Sequence, residues 1–144
     1  PWDLKNRRGG LTDLEFITQY LMLREAAAAP QVLHRATADA LRALGSAGAL
    51  PPLAEHELSA AAALLRQVQA LLTLIGENTA PEGAFPEPDA ATLARCAGAV
   101  DFARLDADIT SAAAHVRRWY ERLIEEPAAR AMLELAEQAG DSAR

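Results

Sequence analysis

Residues 102–123 read FARLDADITSAAAHVRRWYERL, and their spacing decides the fold class. Phe102, Leu105, Ile109, Ala112, Val116, Trp119 and Leu123 recur at alternating intervals of three and four, the period that lines one face of an α-helix. Such a seam packs against another helix in the coiled-coil manner. Arg117 and Glu121, four residues apart, are placed to pair on the outer face. A second segment of the same period lies upstream. Leu58, Ala61, Leu65, Val68, Leu72 and Ile75 step at the same intervals, and Pro51-Pro52 opens the helix that carries them. Leu64, Leu71 and Leu74 widen its stripe, so this helix is expected to pack on two sides near the centre.

Shorter segments surround this pair. Thr12-Asp13-Leu14-Glu15 has the form of a capping box, in which the Thr12 hydroxyl accepts from the third helical amide and Glu15 reaches back to the Thr12 amide. The helix it opens is expected to run to about Ala29, before Pro30. A second helix is predicted over Thr37–Ala47, with Ala40, Leu41 and Leu44 inward and Gly45 and Gly48 at its end. Residues 76–88 hold two glycines and three prolines and read as a loop. A short helix follows over Asp89–Ala97. Pro127 suits the first turn of a separate last helix reaching about Gln138, with a frayed tail from Gly140. The prediction is an all-α, compact bundle of about five to six helices with two long central helices. It divides into a basic, glycine-containing junction loop at 1–11 and a helical bundle domain at 12–144.

Composition agrees. Of 144 residues, 34 are Ala and 21 are Leu, while aromatics are 5 %, a balance that favours helix over sheet. A chain of this length buries roughly 70 % of its unfolded surface, enough for a core without disulfides. The net charge of −6 argues against a surface that coats nucleic acid, which needs a basic face. The most apolar stretch, Leu58–Ile75, is interrupted by Arg66, Gln67 and Gln69 and reads as a buried helix, not a membrane span. Cys96 stands alone, which excludes an internal disulfide, and a cytoplasmic setting fits. Cys96 itself reads as a small core residue. His34, His56 and His115 are scattered without the spacing of metal ligands. The opening Pro1-Trp2-Asp3, without Met, suggests a piece of a longer chain.

One segment differs from core and solvated face. In Asp3-Leu4-Lys5-Asn6-Arg7-Arg8-Gly9-Gly10-Leu11, three cations and two glycines precede a helix N-terminus. Free amides and the helix dipole would attract an anion there, and glycines allow a phosphate to approach the backbone. Lys5 and Arg8 would add charge-assisted hydrogen bonds. The same residues also fit a plain turn with solvated cations. Asp13 and Glu15, two apart, diverge by about 200° on a helix and cannot grip one metal together. Glu15 fits the capping box. Asp13 points into the packed arc and needs a basic residue or backbone amides as partner.

The run Asp3-Leu4-Lys5-x-x-Arg8-Gly9-Gly10-Leu11-x-Asp13-Leu14-Glu15-Phe16-Ile17-x-Gln19-Tyr20-Leu21-x-Leu23 closely resembles the junction motif of the glutamine synthetase adenylyltransferase family, approximately D-x-K-x-x-x-G-G-[IL]-x-D-[IL]-E-F-[IV]-x-Q. In that family the motif follows a nucleotidyltransferase domain and opens a helical domain, and the C-terminal of two such halves is the better match. The related PII uridylyltransferase carries a looser version.

The resemblance implies a parent enzyme that uses ATP and Mg2+ to transfer AMP onto a tyrosine of glutamine synthetase, its other half removing the AMP. It implies nucleotide contact by Lys5, Arg8, Gly9 and Gly10, with Asp3, Thr12, Asp13 and Glu15 as the structural part of the junction. The upstream nucleotidyltransferase domain, glutamine synthetase and the PII protein are the implied partners. The family's catalytic G-S-x6-D-x-D pattern is missing, since Gly45-Ser46 runs into an apolar stretch and Asp106-Ala107-Asp108 stands alone on a helix. No catalytic or metal residue is therefore expected in this chain, and no cofactor bound to it alone. A non-catalytic interaction module and the uridylyltransferase branch are the alternatives.

Overall fold

The computed structural model describes residues 2–75 and 87–142. Its helices are α1 (Leu11–Glu25), α2 (Thr37–Ser46), α3 (Pro52–Ile75), α4 (Glu87–Cys96), α5 (Phe102–Tyr120) and α6 (Glu126–Ser142). A 3₁₀ turn at Pro30–Val32 joins α1 to α2. The described residues contain no strand, so the all-α expectation holds. Most of the loop expected at 76–88 lies outside the described residues, as do 143–144 of the tail. The helix after that loop begins at Glu87, two residues earlier than expected.

The two periodic segments form the centre. Leu58, Leu65, Val68, Leu105, Ile109 and Val116 are all buried. Leu58 and Ala61, early in α3, share a core with Ala112, Val116 and Trp119, late in α5. Leu65, Val68 and Leu72, late in α3, share the other core with Leu105 and Ile109, early in α5. The two helices are therefore antiparallel. α1 and α2 close the first core with Leu14, Ile17, Leu21, Leu41 and Leu44. α4 closes the second with Leu93 and Ala94. Each fully buried Leu or Ile contributes about 1.5–3 kcal/mol.

Three expectations about single side chains change. Leu74 is 82 % exposed, on a face of α3 that its neighbours leave uncovered, while Leu72 in the same turn is buried. Cys96 is exposed, since Leu93 and Ala94 take the inner face of α4. Thr12 and Glu15 do not form a capping box. The helix begins one residue earlier, at Leu11, with Gly10 as its cap and no side-chain cap bond. Thr12 N–H donates instead to the Lys5 carbonyl at 3.0 Å, and Glu15 turns to Arg66.

The separate last helix is also corrected. α5 and α6 are one continuous rod, joined through a π-helical turn at Glu121–Glu125. Pro127 lacks the amide that would reach the Leu123 carbonyl, and its ring crowds that carbonyl. The turn widens, and the Glu126 amide bonds the Glu121 carbonyl five residues back. Arg117 pairs with Glu121 at 2.8 Å, as its spacing implied, and also with Glu125 at 2.9 Å across the turn. Beyond it α6 leaves the bundle, and Met132, Leu133 and Leu135 are exposed.

A polar clamp ties α3 to α5 at the edge of the first core. Glu57 accepts from the Arg118 guanidinium and from the Trp119 indole N–H, the latter at 2.7 Å. His115 Nε2 stands 3.9 Å away. The bonds from Arg118 and then Trp119 hold the Glu57 carboxyl below the usual carboxylate range.

Candidate functional site

The basic junction loop, residues 2–10, is built onto the bundle. Leu4 is fully buried in the second core, and Trp2 stacks on Phe102 at 5.0 Å between ring centroids. The Asp3 carboxylate accepts from the Asn6 amide at 2.9 Å and the Lys5 amide at 3.2 Å, closing a turn at the loop's start. The Asn6 backbone bond is the main cause of its lowered pKa. Asp13 supplies the other end. Its Oδ2 accepts from the Gly9 amide at 2.7 Å, so the partner its position required is a backbone amide.

The glycines are fixed by the chain's own backbone. Gly9 has φ +77° and lies against α5, where a Cβ would come 2.0 Å from the Ala113 carbonyl oxygen. A Cβ on Gly10 would come 2.6 Å from the Leu4 carbonyl oxygen. Both glycines are buried. The amides expected to be free for an anion are used internally. Gly10 donates to Arg7 at 2.9 Å, Leu11 to Leu4 at 2.9 Å and Thr12 to Lys5 at 3.0 Å. What the loop presents outward is cationic side chain: Lys5 and Arg8 are exposed. Geometry thus splits the four candidate nucleotide residues, with Gly9 and Gly10 shaping the loop and Lys5 and Arg8 displayed by it.

Other polar residues fall elsewhere. Asp108 pairs with Arg104 on the surface of α5 at 3.0 Å, and Asp106 is exposed. Among the described residues, no three His, Cys, Asp or Glu side chains gather closely enough to hold a metal ion. No described helix is long and apolar enough to cross a membrane. A polar cleft between α1, the α1–α2 connection and α3 brings Glu15, Arg35, Thr37 and Arg66 together. Sequence reasoning missed it, because its residues lie far apart in the chain and share no motif.

Comparison with known proteins places this loop-and-bundle unit. The family model described as GlnD PII-uridylyltransferase matches residues 2–124, from the junction loop into the π-helical turn. The chain belongs to that family. Within the family, it is similar to bifunctional glutamine synthetase adenylyltransferase/adenylyl-removing enzymes. The one from Xanthobacter autotrophicus is 38 % identical over 125 residues, which are 86 % of this chain and 12 % of the relative. Those from Rhodopseudomonas palustris and Bradyrhizobium diazoefficiens are 36 % and 34 % identical, over 85 % and 86 % of the chain. The likeness first carried by the junction motif therefore extends over most of the bundle. The chain spans about an eighth of the length of these relatives, 12 % in each case.

Proposed function

We propose that this chain is the helical domain of an adenylylating and deadenylylating enzyme that acts on glutamine synthetase, and that it follows a nucleotidyltransferase domain, in the C-terminal half. The observation that carries this reading is the 34–38 % identity to relatives bearing that name across nearly the whole bundle. The junction loop completes one side of the nucleotide cleft. Lys5 and Arg8 stand toward the triphosphate as point charge and hydrogen-bond donor. Gly9, Gly10, Asp3 and Asp13 hold those two side chains in place. ATP is the nucleotide, and Mg2+ neutralises its phosphates when bound. We assign the ion's ligands to the rest of the enzyme, because this sequence lacks the family's G-S-x6-D-x-D pattern. The bundle serves to dock glutamine synthetase or the PII regulator, in the cytoplasm.

The test is kinetic and uses the full-length enzyme. Lys5→Ala and Arg8→Ala are each expected to raise the KM for ATP about tenfold, the scale of one charge-assisted contact. Unchanged ATP dependence in both would make the chain a docking module with an idle loop. The family model carries the name of the uridylyltransferase branch, and a preference for UTP over ATP would assign the parent there. The 144-residue chain alone is expected to transfer no AMP, and detectable transfer would overturn the reading.

A further inference from the structure

The polar cleft enclosed by α1, the α1–α2 connection and the middle of α3 has a volume of about 390 Å³. Glu15 and Gln19, one turn apart on α1, form one wall. Thr18 and Thr37, only 2 % and 7 % exposed, are its deepest polar groups. Arg66 enters from α3, donating to Thr37 Oγ1 at 2.6 Å and meeting Glu15 at 3.4 Å. Arg35 enters from the connection and has no acidic partner among the described residues. The connection is held to α1 by the His34 amide, which donates to Met22 Sδ at 3.5 Å.

Donors outnumber acceptors here. A guanidinium carries five N–H donors, and most of those on Arg35 and Arg66 are unspent. Thr37 accepts from Arg66, which leaves its own hydroxyl proton available. The Thr18 proton is already given to the Leu14 carbonyl. Glu15 is the one carboxylate on the lining, and its ion pair with Arg66 is long and nearly half exposed on both sides. A pair of that kind holds weakly, so a ligand oxyanion can take the guanidinium from it and engage two N–H groups at once.

We propose that this cleft binds an oxyanion, the carboxylate or phosphoryl group of a small molecule. Arg66 and the Thr37 hydroxyl form the anchor, and Arg35 closes from the rim. The cleft shares no residue with the junction loop, so this proposal stands apart from the nucleotide reading.

The test is a titration of the ¹⁵N-labelled 144-residue chain with orthophosphate and, separately, with succinate, at constant ionic strength. Saturable shifts are expected around residues 15–22, 34–37 and 66, with a dissociation constant on the order of millimolar for at least one ion. Saturation by phosphate alone identifies a phosphoryl group, and saturation by succinate alone a carboxylate. Arg66→Gln and Arg35→Gln are each expected to weaken binding about tenfold. Arg35 makes no structural bond in the described residues, so its variant keeps the test valid if Arg66→Gln disturbs the fold. Arg130→Gln, on the exposed surface of α6, is expected to leave binding unchanged. The proposal is overturned by shifts that never saturate and spread over all exposed arginines. Binding that survives Arg35→Gln unweakened overturns it, as does silence toward both ions up to about 50 mM.

Discussion

Replacing Gly9 by Ala tests whether the junction loop is seated on α5 as described. Among the described residues three glycines have positive φ, namely Gly9 at 77°, Gly48 at 76° and Gly98 at 78°. An L-residue forced into that region costs about 1–2 kcal/mol. Ala also restricts the unfolded chain, which returns about 0.4–1 kcal/mol. Gly48 and Gly98 face open space, with nothing within 4 Å of an added Cβ. Their Ala variants should therefore lose only about 1 kcal/mol. Gly9 carries the same conformational cost plus a collision: the added Cβ would sit 2.0 Å from the Ala113 carbonyl oxygen and 2.8 Å from its carbonyl carbon. Backbone cannot rotate away like a side chain, so the loop must lift. Lifting strips the Gly9 amide from Asp13 and loosens Leu4 in the core. The combined loss is about 3–4 kcal/mol. Urea unfolding followed by circular dichroism measures all three variants on one scale. A Gly9→Ala loss within about 0.5 kcal/mol of the Gly48→Ala loss would refute the seating of the loop on α5.

Further perturbations test the clamp and the rod. Glu57→Gln keeps an oxygen but removes the charge that Arg118 and Trp119 face, and should cost about 1–3 kcal/mol in the same unfolding assay. Glu57 also predicts an acid response. Its folded pKa is lowered, so its stabilisation is complete above the unfolded value near 4.5 and lost as pH falls through the lowered folded value. Unfolding free energy measured from pH 6 to pH 2 should fall in that window, and the fall should be shallower in Glu57→Gln. Pro127→Ala restores the missing amide and should convert the π-helical turn at Glu121–Glu125 to regular α-helix. Slower amide exchange across residues 121–130 would report it, and unchanged exchange would count against Pro127 as the cause.

The fold was largely legible because helix periodicity is a local signal. The α3 seam from Leu58 to Leu72 and the α5 seam from Leu105 to Trp119 are buried at every seam position. Leu74 and Cys96 misled for the same reason. Periodicity shows which face a residue occupies, not whether a neighbour extends far enough to cover it. Pro127 was read as a start signal because proline is tolerated in a first turn, whereas a widened turn lets the helix pass through it. Of the junction loop, the unmet need of Asp13 was legible from its direction on α1. The capping box was a correct local option, displaced when the Lys5 carbonyl took the Thr12 amide.

Sequence alone determined the helical class, the two periodic seams and the family motif, since each is written in spacings of a few residues. Tertiary structure decided what the glycines of that motif do. Gly9 meets Ala113, 104 positions away in the sequence, and contacts at such separation leave no trace in local pattern. The same holds for the cleft, where Glu15, Arg35 and Arg66 acquire a shared chemistry only because α1, the α1–α2 connection and α3 converge on it.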